Sequence, residues 1–136
     1  TIAKNAAFYE GKSNLAAKVE WAFAQWEMPG LTTFDDLPKT TRKQPGWFLA
    51  TFATPEHKAD LVLDLASMGK GQIYLNGTHV SRYFAAIQGK PVAPFNTALL
   101  PGSLLKEKGI NELVLFDELG GDPEKCSLTI SQGNTL

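Results

Sequence analysis

Apolar and polar residues alternate with a period of two in six short runs of the chain, and this pattern predicts β-strands. Every second side chain in such a run can face a core, which is typical of strands buried on one side. The alternation occurs at residues 19–24, 47–52, 61–65, 73–75, 113–116 and 127–130. In the first run the apolar set is Val19, Trp21 and Phe23, so we expect a strand there with Trp21 in the core.

Turn-forming residues separate these runs at intervals of about ten residues, the spacing of an antiparallel sandwich or barrel. Asn76-Gly77 predicts a type I′ hairpin, because both residues tolerate a positive φ. Gly69-Lys70-Gly71 precedes a strand and indicates a bend with crowded backbone. Residues 84–100 are rich in Pro and Ala and are interpreted as a long loop, and 103–108 could form one helical turn.

The expected fold is therefore all-β, with about eight strands in two sheets. A length of 136 residues suits one domain, which we assign to residues 1–136, with residues 1–14 as a loosely packed N-terminal segment. A net charge of −1 gives no general attraction to nucleic acid or to an anionic membrane, so neither is an expected partner. The apolar runs are far shorter than the roughly 18 residues of a membrane span. A single cysteine, Cys126, excludes an intrachain disulfide.

Three segments of the chain resemble one known family, in the family's own order. Residues 67–84 read SMGKGQIYLNGTHVSRYF and are similar to its GKGxxWxNGxxxGRYW segment. Residues 100–130 resemble its ending, with F-E-E-x-G-G-D-P before a last strand, and residues 45–56 resemble its strand with an aromatic pair. The family is the C-terminal galactose-binding-like jelly-roll domain of family 35 β-galactosidases, its plant members especially. The chain departs from it at Tyr74 and Phe84, where the family has Trp.

The resemblance implies a jelly-roll β-sandwich of the galactose-binding-domain type and a non-catalytic, carbohydrate-binding module related to a β-galactosidase. The implied partners are a galactose-containing glycan and a catalytic barrel domain, and the implied location is extracellular or in the cell envelope. Two alternatives stay open: a purely structural domain that packs on a glycosidase barrel, and a protein-interaction module on the same sandwich. The catalytic barrel alone needs about 250 residues, so this chain is not expected to be an enzyme by itself.

Five residues are candidates for ligand binding because they lie near predicted strand ends or turns and carry rings or a fixed donor fork. Aromatic rings there can stack on the apolar face of a pyranose, although core packing is the ordinary role of such rings. The fork of Arg82 suits either a pair of sugar hydroxyls or a carboxylate such as Asp64, Asp117 or Glu118, and the second interpretation is favoured. The candidates are Trp26, Trp47, Arg82, Tyr83 and Phe84.

Catalytic and metal chemistry have little support in the sequence. Asn111-Glu112 looks like the Asn-Glu pair of retaining glycosidases, but glycoside hydrolysis needs two facing carboxylates and this pair opens a strand. The histidines are isolated from one another, so no metal cluster is indicated. Asp35-Asp36 and Asp122 have the chemistry of calcium ligands, but solvated loops explain them better. No cofactor is therefore predicted.

Overall fold

Eleven β-strands are present in the part of the chain that the structure, a computed structural model, describes. The described residues are 9–11, 13–14, 19–40, 43–87, 90–91 and 96–132. The strands are β1 (Tyr9–Glu10), β2 (Ser13–Asn14), β3 (Gly46–Ala53), β4 (Leu61–Asp64), β5 (Lys70–Leu75), β6 (Thr78–Phe84), β7 (Ala86–Ile87), β8 (Lys90–Pro91), β9 (Thr97–Leu100), β10 (Ile110–Asp117) and β11 (Ser127–Ile130). None of the helical segments in these ranges is long and hydrophobic enough for a transmembrane span.

Two antiparallel sheets form the body of the fold. One has four strands in the order β3-β10-β5-β6, and the other has three strands in the order β11-β4-β9. Two short ladders, β1 with β2 and β7 with β8, complete the pairing within the described ranges. The prediction of an all-β fold in two sheets is confirmed.

The core lies between the two sheets and takes alternate residues from their strands. Ile73, Leu113 and Leu115 come from the four-stranded sheet, and Leu63 and Leu100 come from the three-stranded sheet. Each such side chain contributes about 1.5–3 kcal/mol by leaving water. The alternation seen in the sequence therefore determines which face of each strand is buried. The opposite face of the four-stranded sheet points away from the core.

The hairpin at Asn76-Gly77 is confirmed, and it is tied to a distant part of the chain. Asn76 has φ 50° and Gly77 has φ 81°, the positive values that a type I′ turn requires. The Asn76 amide Nδ2 donates to the Oδ1 of Asn111 at 2.9 Å and to the Leu104 carbonyl at 2.8 Å. The turn is thus held both by its own dihedral chemistry and by the segment that leads into β10.

Close packing of the backbone explains Gly71, the second residue of β5. A Cβ on Gly71 would lie 1.7 Å from the carbonyl oxygen of Phe116 on the neighbouring strand. The expected backbone crowding at Gly69-Lys70-Gly71 is therefore present, since only glycine fits this approach of β5 to β10.

Two expectations about secondary structure were wrong. Residues 19–24 form no strand, and Trp21 is 52% exposed rather than buried in the core. An alternating segment forms a strand only where it can pair with another strand. None of the strand pairings among the described residues involves residues 19–24. Residues 84–100 are also not one loop, because they contain β7, β8 and β9, although residues 88–89 and 92–95 lie outside the described residues.

Candidate functional site

The outer face of the four-stranded sheet carries a row of large side chains across all four strands. Trp47 on β3 pairs with Phe116 on β10, Phe116 pairs with Gln72 on β5, and Gln72 pairs with Arg82 on β6. These residues alternate with core residues on each strand, so they share the face that points away from the core. The row brings together residues that are distant in the sequence. Arg82 lies 35 residues after Trp47, and Phe116 lies 34 residues after Arg82.

A second row lies beside the first and adds an aromatic and an imidazole ring. Tyr74 on β5 pairs with Val114 on one side and with His79 on the other. The rings of Tyr74 and His79 meet edge to face with centroids 5.1 Å apart. The register shifts by one residue after Ile73 on β5, and this bulge aligns His79, rather than Val80, with Tyr74.

Trp26 packs onto these rows from the segment that precedes the sandwich. Its ring centroid lies 5.3 Å from that of Trp47 and 4.9 Å from that of Phe116. Its indole Nε1 donates a hydrogen bond of 3.0 Å to the hydroxyl of Tyr74. Such ring distances fall within the range of favourable aromatic pairs. Trp26 is nevertheless 56% exposed, so one part of the indole is held by the protein and the rest faces solvent.

These rings border an open depression of about 500 Å³. Its lining residues are Trp26, Gln72, Tyr74, His79, Phe116 and Glu118. The polar members are oriented by neighbours: Gln72 Oε1 lies 2.7 Å from His79 Nε2, and Glu118 Oε2 lies 3.1 Å from Lys70 Nζ. A surface that combines stacked rings with amide and carboxylate groups can hold a ligand that has one apolar face and several hydroxyls.

The structure brings together three of the five residues chosen from sequence. Trp26 lines the depression, Trp47 supports it, and Arg82 lies on the same face beside Gln72. Arg82 is exposed, and the ion pairs found among the described residues do not include it. Phe84 is also exposed, at the far end of β6 and opposite Lys70, so it lies outside the ring cluster.

Tyr83 does not belong to this surface. It is only 6% exposed, and its hydroxyl donates a 2.6 Å hydrogen bond to Asp117 Oδ2 inside the sandwich. Burial, and then the hydrogen bond to Asp117, raise the pKa of the Tyr83 phenol far above its ordinary value. Side chains on β6 point alternately to the two faces of the sheet, so Tyr83, between the exposed Arg82 and Phe84, points into the core. Tyr83 is therefore not part of the site.

Sequence reasoning missed most of the residues that line the depression. The candidates from the sequence do not include Gln72, His79, Phe116 or Glu118, and Tyr74 enters only as a departure from the family pattern. The available signal was alternation itself: with Ile73 and Leu115 assigned to the core, Gln72, Tyr74 and Phe116 had to lie on the opposite face.

The described residues contain no group of three or more His, Cys, Asp or Glu side chains that could hold a metal ion. Asp122 pairs with Lys125 at 2.8 Å.

Burial raises the pKa of the Cys126 thiol, which keeps it protonated and a poor nucleophile. Asn111 is fully buried and its side chain is used for structure, with Nδ2 donating to Thr54 Oγ1 at 2.9 Å. The side chain of Asn111 is therefore a structural element of the sandwich.

The fold is an all-β sandwich of two antiparallel sheets, the architecture of galactose-binding-like domains. Residues 45–111 match the family model described as "Beta-galactosidase, galactose-binding domain". The chain is 37% identical to "Beta-galactosidase 7" of Oryza sativa subsp. japonica over 91 residues, which is 66% of this chain and 12% of that protein. It is 36% identical to "Beta-galactosidase 11" of the same plant over 92 residues, 65% of this chain and 10% of that protein.

Residues 45–111 of this chain are therefore similar to the galactose-binding domain of β-galactosidases. The match covers about a tenth of the length of the curated relatives. The described residues form a sandwich and hold no catalytic barrel.

Proposed function

We propose that this domain binds a galactose-containing glycan on the outer face of its four-stranded sheet, as a non-catalytic module of a β-galactosidase. The observation that carries the proposal is the depression of about 500 Å³ in which Trp26, Tyr74 and Phe116 stand beside Gln72 and Glu118. Galactose has C–H bonds aligned on one face, which suits a half-exposed indole, and hydroxyls that suit the amide and the carboxylate.

The surface supports weak to moderate affinity. One stacked ring and a few hydroxyl hydrogen bonds would supply about 4–6 kcal/mol, which corresponds to dissociation constants from about millimolar to tens of micromolar. Arg82, exposed and next to Gln72, adds a planar fork that can orient a pair of hydroxyls. The rings are already packed against one another, so little ordering is required on binding.

A packing role on a neighbouring catalytic domain is the second candidate. Phe23 is 91% exposed and Trp21 is half exposed, on a segment that adds no strand to the sandwich. Apolar side chains displayed in this way are typical of surfaces that another domain covers. This role uses the segment before Trp26 rather than the depression, so the two candidates can be tested separately.

The test is titration of the chain with galactose and methyl β-galactoside by calorimetry and by NMR of the three tryptophan indoles. We expect millimolar sugar to shift the Trp26 indole signal, and Trp26→Ala to weaken binding about tenfold or more. Trp21→Ala is the matched control, because Trp21 has a similar exposed fraction and lies outside the depression.

Two results would count against this function. If millimolar galactosides leave the indole of Trp26 unmoved, the domain does not bind sugar here and the packing role remains. If binding persists unchanged in both Trp26→Ala and Arg82→Ala, the sugar occupies another surface. Circular dichroism of each variant establishes that the sandwich is retained.

A further inference from the structure

A second cavity is lined in part by Trp47. It has a volume of about 330 Å³ and lies where the chain enters β3, between residues 37–40 and 44–48 on one side and the loop that follows β10 on the other. Its polar lining includes Thr40, Gln44, Asp122 and Glu124. Its volume is at the lower end of the range of small-molecule sites.

Trp47 connects this cavity to the aromatic depression. Its ring lines the second cavity, and it also contacts Trp26 and Phe116, both of which line the depression, at centroid distances of 5.3 and 4.9 Å. Trp47 therefore links the lining of the second cavity to two rings of the depression. A single sugar ring needs only one such recess, and a chain of sugars could occupy both.

The chemistry of the second cavity suits another sugar unit. Gln44 offers an amide that both donates and accepts, Glu124 offers a carboxylate, and the hydroxyl of Thr40 can do either. The Asp122 carboxylate is partly engaged by Lys125 at 2.8 Å. Hydroxyl groups are the natural partners of such a mixed set, and the Trp47 ring supplies the apolar surface beside it.

We propose that the ligand is an oligosaccharide of at least two units, with one unit in the depression at Trp26 and the next in the cavity at Trp47. This inference rests on the proposed function and extends it, because it sets the length of the ligand. The domain thus recognises at least two linked sugar units rather than an isolated monosaccharide.

The experiment compares galactose with β-linked galactobiose and galactotriose by calorimetry on this chain. We expect the longer ligands to bind about tenfold more tightly than galactose. Gln44→Ala and Glu124→Ala should each lower trisaccharide affinity and bring the ratio of trisaccharide to monosaccharide affinity close to one. Glu56→Ala is the matched control, because Glu56 is exposed and follows the opposite end of β3.

Each other outcome has a definite meaning. Equal affinity for galactose and galactotriose overturns the two-unit ligand and leaves the proposed function standing. A length dependence that survives Gln44→Ala and Glu124→Ala places the second unit elsewhere and overturns this cavity. No binding of any of the three sugars overturns the proposed function itself, and the inference with it.

Discussion

The hydroxyl of Tyr83 donates a 2.6 Å hydrogen bond to the Oδ2 of Asp117, a carboxylate with no exposed surface. Asp117 also accepts from the backbone amides of Gly69, Leu119 and Gly120 at 2.7–2.8 Å. One buried carboxylate therefore joins β6, the turn before β5 and the turn after β10. A buried charge is tolerable only with such a set of donors.

Removing this carboxylate should cost more stability than removing the phenol that contacts it. We expect Asp117→Ala to lower the free energy of unfolding by about 3–5 kcal/mol, because buried donors lose their acceptor. Tyr83→Phe should cost about 1–2 kcal/mol, since Asp117 keeps its three backbone donors. Urea denaturation measures both values, and an Asp117→Ala domain as stable as Tyr83→Phe would contradict the role of the carboxylate.

Stability should also fall at alkaline pH because of Tyr83. Its pKa is raised by burial first and by Asp117 second, from an unfolded value near 10, so above pH 10 the unfolded chain releases a proton that the folded protein keeps. The contribution of the phenol is complete below that pH and is lost above it, by at most about 1.4 kcal/mol per pH unit. We expect the stability advantage of the parent over Tyr83→Phe to shrink between pH 10 and 12 in urea titrations, and a constant difference would show that Tyr83 does not titrate on unfolding.

Gly71→Ala should prevent normal pairing of β5 with β10. The added Cβ would meet the Phe116 carbonyl at 1.7 Å, in the middle of the sheet, so we expect a loss of at least about 3 kcal/mol. Gly30→Ala is the control, because a Cβ there meets nothing within 4 Å and Gly30 has an ordinary φ of −60°. Thermal unfolding of the two variants should therefore differ strongly, and similar melting temperatures would show that β5 can move away from β10.

Asn111 and Glu112 should respond very differently to substitution. Asn111 Oδ1 accepts from Asn76 Nδ2 and from the Lys106 amide, each at 2.9 Å, so Asn111→Ala should cost about 2–3 kcal/mol. The side chain of Glu112 makes a partly exposed contact with Lys106 at 3.5 Å, so Glu112→Gln should change stability by less than about 0.5 kcal/mol. Hydrolysis of an aryl β-galactoside by the parent that vanished in Glu112→Gln would show instead that this carboxylate is catalytic.

The predictable part of the fold was the part set by local chemistry. The turn at Asn76-Gly77 follows from which residues accept a positive φ, and the buried positions of β4 follow from alternation of Leu61 and Leu63. Trp21 shows the limit of that reasoning, because its alternation is as regular as that of β4 and yet residues 19–24 form no strand. Whether a strand forms depends on pairing with distant residues, which no local pattern contains.

The sequence predicted which types of residue form the candidate site, but only some of the individual residues that line it. Trp26 and Trp47 were chosen as rings near turns, but their contact depends on how the segment before the sandwich crosses β3 and β10. His79 reaches Tyr74 only because of the bulge after Ile73, which changes the register by one residue. Such a shift is an interaction between two strands, and neither strand alone encodes it.

The alternation of β5 and β10 gives each strand two separable tasks. Ile73 and Leu115 hold the sandwich together, while Tyr74 and Phe116, one position along, face the depression. Mutational drift at the outward positions can therefore exchange one ring or amide for another without disturbing the inward set. Ligand preference can therefore diverge among related domains through substitutions at the outward positions, while the fold is conserved.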